Sequence, residues 1–159
     1  MVGQLWDQDQ IPAKIRDLGL DSCVRLLGRL DDAPFDALMA TTDIGLALRR
    51  PPTYGETSGV LLSLLAHGVA TIVVDTDTFG DYPTSAVRKV AWDRDGMDGL
   101  MAALRELAGS PARRHALGDA GRSHVTTRQS WPRVAEQYAE LIEDVHARRL
   151  SGRHRALRA

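Results

Sequence analysis

An α/β domain, a parallel sheet with helices on both faces and further helices after it, is what this sequence predicts. Three observations predict it. Short apolar runs alternate with longer segments of helical period along the first part of the chain. Two of those runs, "DIGLAL" at 43–48 and "ATIVVD" at 70–75, are almost continuously apolar, the habit of strands covered on both faces in a parallel sheet. From Gly96 onward the pattern is helical.

The elements follow in order. "PAKIRDLGL" is a helix, with Pro12 suited to its first turn and Gly19 to its end. "CVRLLG", 23–28, reads as a strand. "DAPFDALMAT" is a helix opened by Asp32, with Phe35, Leu38 and Met39 on one face. After the strand at 43–48 come the loop "RRPPTYGE" and the helix "SGVLLSLLAHG". That helix is apolar almost all round, so it should be buried between the sheet and other elements. The strand at 70–75 leads through the turn-rich "TDTFGDYPT" to a short strand, "AVRKVA". The helix "MDGLMAALRELAG" is closed by Gly109, and Pro111 starts the next, "ARRHALGDAGRSHVTT". The last helix begins at "SWPRVAEQYAELIEDV", with Ser130 as N-cap and Pro132 in the first turn. The architecture is Rossmann-like, with one domain over 1–147 and a basic tail over 148–159. "MVGQL" reads as the end of a strand, so the sheet is expected to lack its first strand and helix.

Composition narrows the classes. At 159 residues, 43% hydrophobic and 26% charged, the chain fits one ordinary domain with a single core and is not disordered overall. The closing "RRLSGRHRALRA" carries five arginines and no acid, a pattern able to hold nucleic acid or anionic lipid. No aromatic residue interleaves them for base stacking, so the tail reads as a frayed helix end and nucleic acid is not an expected partner. The single cysteine, Cys23, excludes an intramolecular disulfide and a cysteine zinc cluster, and it reads as a small core residue opening an apolar run. The histidines show no HxxxH or HExxH spacing, so neither a metal site nor a cofactor is expected. No apolar run approaches the ~20 residues of a membrane span, and the N-terminus lacks the regions of a signal peptide. The expected location is the cytoplasm, extending to the inner face of the membrane.

One junction carries more chemistry than a turn needs. "TYGETSG", 53–59, lies between a strand and a helix, the place where open parallel sheets bind ligands. Thr57 or Ser58 can cap the helix, and the free amides of its first turn suit phosphate oxygens. Gly55 and Gly59 allow close approach to the backbone, and Arg49 and Arg50 at the strand end could neutralise a diphosphate. Glu56 would repel phosphate but would accept hydrogen bonds from sugar hydroxyls. Phosphate plus polyol means a nucleotide, a sugar phosphate or a nucleotide-sugar. The same residues also make a well-capped turn, with Glu56 favourable near a helix N-terminus, and local physics leaves both readings open.

Taken together, Val24 to Gly28, Thr42-Asp43-Ile44, "GETSG" and "AHGVATIVVD" resemble the donor-binding C-terminal domain of retaining GT-B glycosyltransferases, the large group 1 or family 4 type found in bacterial enzymes. "LGDAGRSHVTTRQSWPRVAEQYAEL" resembles the closing helices of that domain, so the likeness runs from about Ile15 to Val145. It implies transfer of a sugar from a UDP-, GDP- or ADP-sugar to an acceptor with retention and without a metal, Glu56 being the candidate catalytic residue. Glu56, Thr57, Ser58 and Gly59 would contact the donor's sugar and phosphates, and Gly28, Arg29 and Leu30 would lie near the nucleobase; Arg49, Arg50 and Gly55 join the candidate donor-binding set from the local reading of the junction, and Ser63 from its place in the helix. Asp75 and "FGDYP" would border the same cleft. The family commonly has a second glutamate in the helix, where Ser63 stands here. The family's phosphate-clamping Arg and Lys would lie upstream of this chain, and the acceptor-binding domain is absent from it, so it is expected to be inactive alone and to self-associate through an open sheet edge.

Other classes compete. A GT-B-like module kept for binding or assembly without catalysis is favoured by Ser63 and by the missing first strand. A nucleotide-sugar epimerase of the same architecture would need a histidine near the cleft. The sequence offers only His67, at the far end of its helix. The nucleobase, the sugar and the acceptor are not written in the sequence.

Overall fold

A computed structural model describes residues 10–92 and 96–156, with side chains through 149. Two compact units divide the chain at Thr41. The opening "MVGQL" lies outside the described residues.

The first unit holds α1 (Gln10–Asp17) and α2 (Asp32–Ala40). Gly19, at φ +65°, ends α1, as the sequence predicts, and its N–H donates to Arg16 O at 2.9 Å. Between the helices the expected strand at 23–28 does not form. Val24 and Leu26 are half-buried while Arg25 and Leu27 are exposed, an alternation of extended backbone, but the segment joins no ladder. A strand needs a hydrogen-bonded neighbour as well as an apolar pattern. Cys23 corrects a second expectation. It is exposed, its Sγ donating to Leu20 O at 3.4 Å, because the turn that follows α1 keeps it on the surface. In α2, Phe35 and Leu38 are half-buried and Met39 is buried on the expected face.

The second unit is built on a parallel sheet of β1 (Ile44–Ala47), β2 (Ala70–Val74) and β3 (Arg88–Val90), in that order. Three helices cover it: α3 (Gly59–Ala66) after β1, α5 (Gly96–Ala108) after β3, and α6 (Pro111–Arg128). A short α4 (Asp77–Gly80) follows β2, where the sequence predicts only turns. The long α7 (Trp131–Ala156) closes the chain and runs without a break past residue 148.

β2 explains the layering. All five of its residues are buried, so it has a helix layer on each face. Ala70, Ile72 and Val74 pack with Val90 against Ala103 and Leu107 of α5. Thr71 and Val73 point the other way. On that face Gly45, opposite Thr71, lets α3 lie close, since a Cβ there would stand 2.7 Å from the Leu64 side chain. Each large side chain fully buried in these layers contributes roughly 1.5–3 kcal/mol over leaving it in water. α6 approaches more closely still: a Cβ on Gly118 would fall 2.0 Å from Gly68 O. Arg122 then reaches the end of α3, its Nη2 donating to His67 O at 2.8 Å.

The expectation that α3 is wholly buried holds on one side. Leu61, Leu64 and Leu65 are buried, but Val60 is 53% exposed. α7 is different again, because its apolar residues Trp131, Tyr138, Leu141, Ile142 and Val145 are all exposed.

Candidate functional site

The candidate site is the loop from the end of β1 to the start of α3, and hydrogen bonds from its own side chains and from α4 give it a defined shape. Ser58 is the N-cap: it is extended at φ −88°, ψ 111°, 6% exposed, and its Oγ accepts the Leu61 N–H at 3.3 Å. Of the two hydroxyls that the sequence leaves as alternatives, the cap is therefore Ser58, while Thr57 is exposed. Among the described residues the amides of Gly59 and Val60 donate to nothing. They remain as two donors at the positive end of the helix dipole.

Glu56 folds back on the loop. Its Oε2 accepts the Tyr54 N–H at 2.8 Å and its Oε1 pairs with Arg49 Nη1. Both side chains remain part-exposed, so this is a pair at the edge of water. Gly55, at φ +74°, supplies the left-handed residue that lets the chain reverse between Tyr54 and Glu56. Gly59 has no such need, since a Cβ there would meet nothing within 4 Å.

α4 pins the loop from the other side. Asp77 takes an uncommon φ of +43°, and its Oδ2 accepts the Thr53 N–H at 3.2 Å, the Thr53 hydroxyl at 2.8 Å and the Thr76 hydroxyl at 3.3 Å. The hydrogen bond from the Thr53 hydroxyl, more than any other, holds the Asp77 carboxyl below the usual aspartate value of 3.8. Thr78 adds a second tie, its hydroxyl donating to Glu56 O at 3.1 Å. Sequence reasoning missed Asp77 and Thr78. The "TDT" run was visible as turn chemistry, but nothing local says which loop it would grip.

The other predicted residues separate. Arg50 stands apart from Arg49, at an apolar cavity of about 450 Å³ beyond the sheet's carboxyl edge, with Leu48, Val74, Trp92, Met97 and Leu100. Ser63 sits within α3, where its carbonyl accepts the His67 Nδ1 contact at 2.8 Å. Asp75 pairs with Lys89 at 3.2 Å. Gly28, Arg29 and Leu30 belong to the first unit, with Gly28 at φ +63°. Among the described residues no cluster of three His, Cys, Asp or Glu side chains is placed to hold a metal ion.

The histidine expectation is corrected. A second cavity, of about 170 Å³, is lined by Thr57, Ser58, Asp81, Tyr82, His124 and Gln129, with Thr78 and Phe79 completing its wall. α6 carries His124 beside the loop, which no spacing in the sequence reveals. Its ring lies 5.5 Å from that of Tyr82, tilted by 52°. The Tyr82 hydroxyl donates to Gln129 Oε1 at 3.0 Å, and burial raises its pKa above the usual 10.0.

No protein-family model and no curated protein matches the chain. Solved structures do. The chain is similar to HepE of Anabaena in complex with UDP, with a TM-score of 0.77 and 17% identity over 90% of this chain and 40% of that one. It is similar to a sucrose-phosphate synthase from Thermosynechococcus elongatus, with a TM-score of 0.70 and 21% identity over 86% of this chain and 34% of that one. A third is the C-terminal domain of the group 1 glycosyl transferase LpcC from Francisella tularensis, with a TM-score of 0.62 and 17% identity over 76% of this chain and 61% of that one. The chain thus spans about two fifths of HepE and a third of the synthase. Its fold is that of the C-terminal half of GT-B group 1 glycosyltransferases.

Proposed function

We propose that this chain is the donor-binding portion of a glycosyltransferase, transferring a sugar from a nucleotide-sugar to an acceptor with retention at the anomeric carbon. One observation carries the reading. A carboxylate and two unused amides are brought to the carboxyl edge of the sheet on a loop held by the Asp77, Thr78 and Ser58 hydrogen bonds. The amides of Gly59 and Val60 would receive phosphate oxygens and stabilise the diphosphate as it leaves. Glu56 would turn from the Tyr54 N–H toward the sugar's hydroxyls, and Arg49, already beside it, would offset the charge of the diphosphate. HepE, the similar protein, is solved with UDP and also with UDP and glucose, which supports a UDP-sugar ahead of the GDP and ADP forms. The acceptor-binding part would come from outside the 159 residues, with the reaction in the cytoplasm or at the inner face of the membrane. Self-association through the sheet edge belongs to the same reading.

A non-catalytic module is the second reading, and Ser63, in place of a second carboxylate in α3, favours it. Calorimetry of the full chain with UDP, GDP, ADP and their glucose conjugates separates the readings. The donor reading expects one nucleotide to bind and its sugar conjugate to bind more tightly. No heat from any of them at millimolar ligand leaves the module.

A further inference from the structure

A groove of about 600 Å³ lies at the amino edge of the sheet, at the other end of the strands from the loop after β1. The turn before β3, the end of α5 and the first turns of α6 enclose it. Its volume falls within the range of small-molecule sites. Three of its charged side chains meet there. Glu106 of α5 accepts from Arg88 Nε of β3 at 3.1 Å through Oε2, and its Oε1 lies 3.1 Å from Arg113 Nη1 of α6. Both carboxylate oxygens therefore already face a guanidinium. Arg88 Nη1 donates to Lys89 O at 2.9 Å. Arg88 Nη2, the Arg113 donors turned away from Glu106, and the hydroxyls of Thr84 and Ser85 meet no acceptor among the described residues. The wall thus presents donors in excess, and two arginines against one glutamate leave it with a net charge of +1.

Arg113 also stands against the helix rule. It lies in the first turn of α6, after the N-cap Ser110, where the dipole is positive and no acidic residue is present. Its neighbour Arg114 shows what a structural arginine does at this place. Arg114 Nη1 donates to Leu107 O at 2.7 Å and Ala108 O at 3.1 Å, closing the end of α5. Arg113 has Glu106 alone, and at 66% exposure such a pair adds little stability. A local rule broken with no packing gain marks a residue kept for a ligand.

The lining selects the ligand. A cation does not suit it, since the one carboxylate is already paired. A polyphosphate or a nucleic acid needs more than one net positive charge. A neutral apolar guest would strand the guanidinium donors, and a bare inorganic anion would leave Leu107 and Leu117 uncovered. We propose that this groove binds a small amphipathic anion, a carboxylate or phosphate monoester on a compact apolar body. Arg88 and Arg113 hold the anionic head, Thr84 and Ser85 donate to it, and Leu107 and Leu117 meet the body. None of these residues belongs to the loop after β1 or to α4, so the inference does not rest on the donor reading.

An amide-resolved NMR titration of the full chain with phenyl phosphate, benzoate and inorganic phosphate, at constant ionic strength, tests it. At least one of the two aromatic anions should shift the amides of Thr84, Ser85, Arg88 and Arg113 together and saturate at millimolar concentration. It should bind about tenfold more tightly than inorganic phosphate, because the apolar body adds buried area. Whichever aromatic anion binds more tightly identifies the head group. Arg113→Gln and Arg88→Gln should each weaken that affinity about tenfold, the loss of one charged hydrogen bond, with unchanged circular dichroism. Arg113, being exposed, can be changed without touching the core, and it decides the matter should Arg88→Gln unfold. No shift with either aromatic anion, equal affinity for inorganic phosphate, or affinity unchanged in Arg113→Gln overturns the proposal. Binding here without any response to UDP removes the donor reading alone, and the reverse removes this inference alone.

Discussion

Two openings at the carboxyl edge of the sheet differ in what holds them. The loop after β1 is tied by polar bonds aimed at backbone: Asp77 to Thr53, Thr78 to Glu56, Glu56 to Tyr54, and Ser58 to Leu61. The mouth after β3 is larger and apolar, with Trp92 and Met97 exposed at 52% and 67%. Volume alone would choose the second. Preorganised donors and acceptors choose the first, because a site for a charged, hydroxylated ligand must hold its polar groups in place before the ligand arrives.

The comparison can be broken in five ways. Glu56→Gln removes the charge that sugar hydroxyls would meet, together with the Arg49 pair. Nucleotide-sugar affinity by calorimetry should fall about tenfold to a hundredfold, the worth of hydrogen bonds to a charged group. Asp77→Asn leaves the shape but weakens three bonds, and a loss of about tenfold in the same affinity is expected. Acid should do the same. The Asp77 carboxyl titrates below the ordinary 3.8, so its contribution is complete above that value and disappears as the pH falls through the lower one. The amide shift of Thr53, whose N–H donates to Asp77 Oδ2, should therefore hold steady down to pH 4 and move only below it. Ser58→Ala deletes the α3 cap and should destabilise the fold by about 1 kcal/mol in urea unfolding. Trp92→Ala, in the apolar mouth, should leave UDP affinity within about twofold, since a contact that carries no polar ligand group adds little specific affinity. A larger loss there than at Asp77 would reverse the comparison.

Much of the fold is legible because apolar period and cap residues act locally. Strands at Ile44–Ala47 and Ala70–Val74 stand where continuous apolar runs place them, and Gly109 and Pro111 separate α5 from α6 as their backbone habits require. The segment at 23–28 carries the same kind of apolar signal and makes no ladder, because pairing is a property of two segments. α4 escapes notice for the opposite reason: four residues opened by a left-handed aspartate have no period to read. At the site, Ser58 and Glu56 are written in "GETSG", but their partners are tertiary facts. Nothing local ties Asp77 to Thr53, seats His124 beside Tyr82, or sends Arg49 and Arg50 to different neighbours.

The most direct measurement is an amide-resolved NMR titration of the full chain with UDP and UDP-glucose. The account predicts that the amides of Glu56 to Val60 shift together with those of Thr53 and Asp77, and that those of Trp92 and Met97 stay still. Shifts confined to Trp92 and Met97, or none at millimolar ligand, would contradict it.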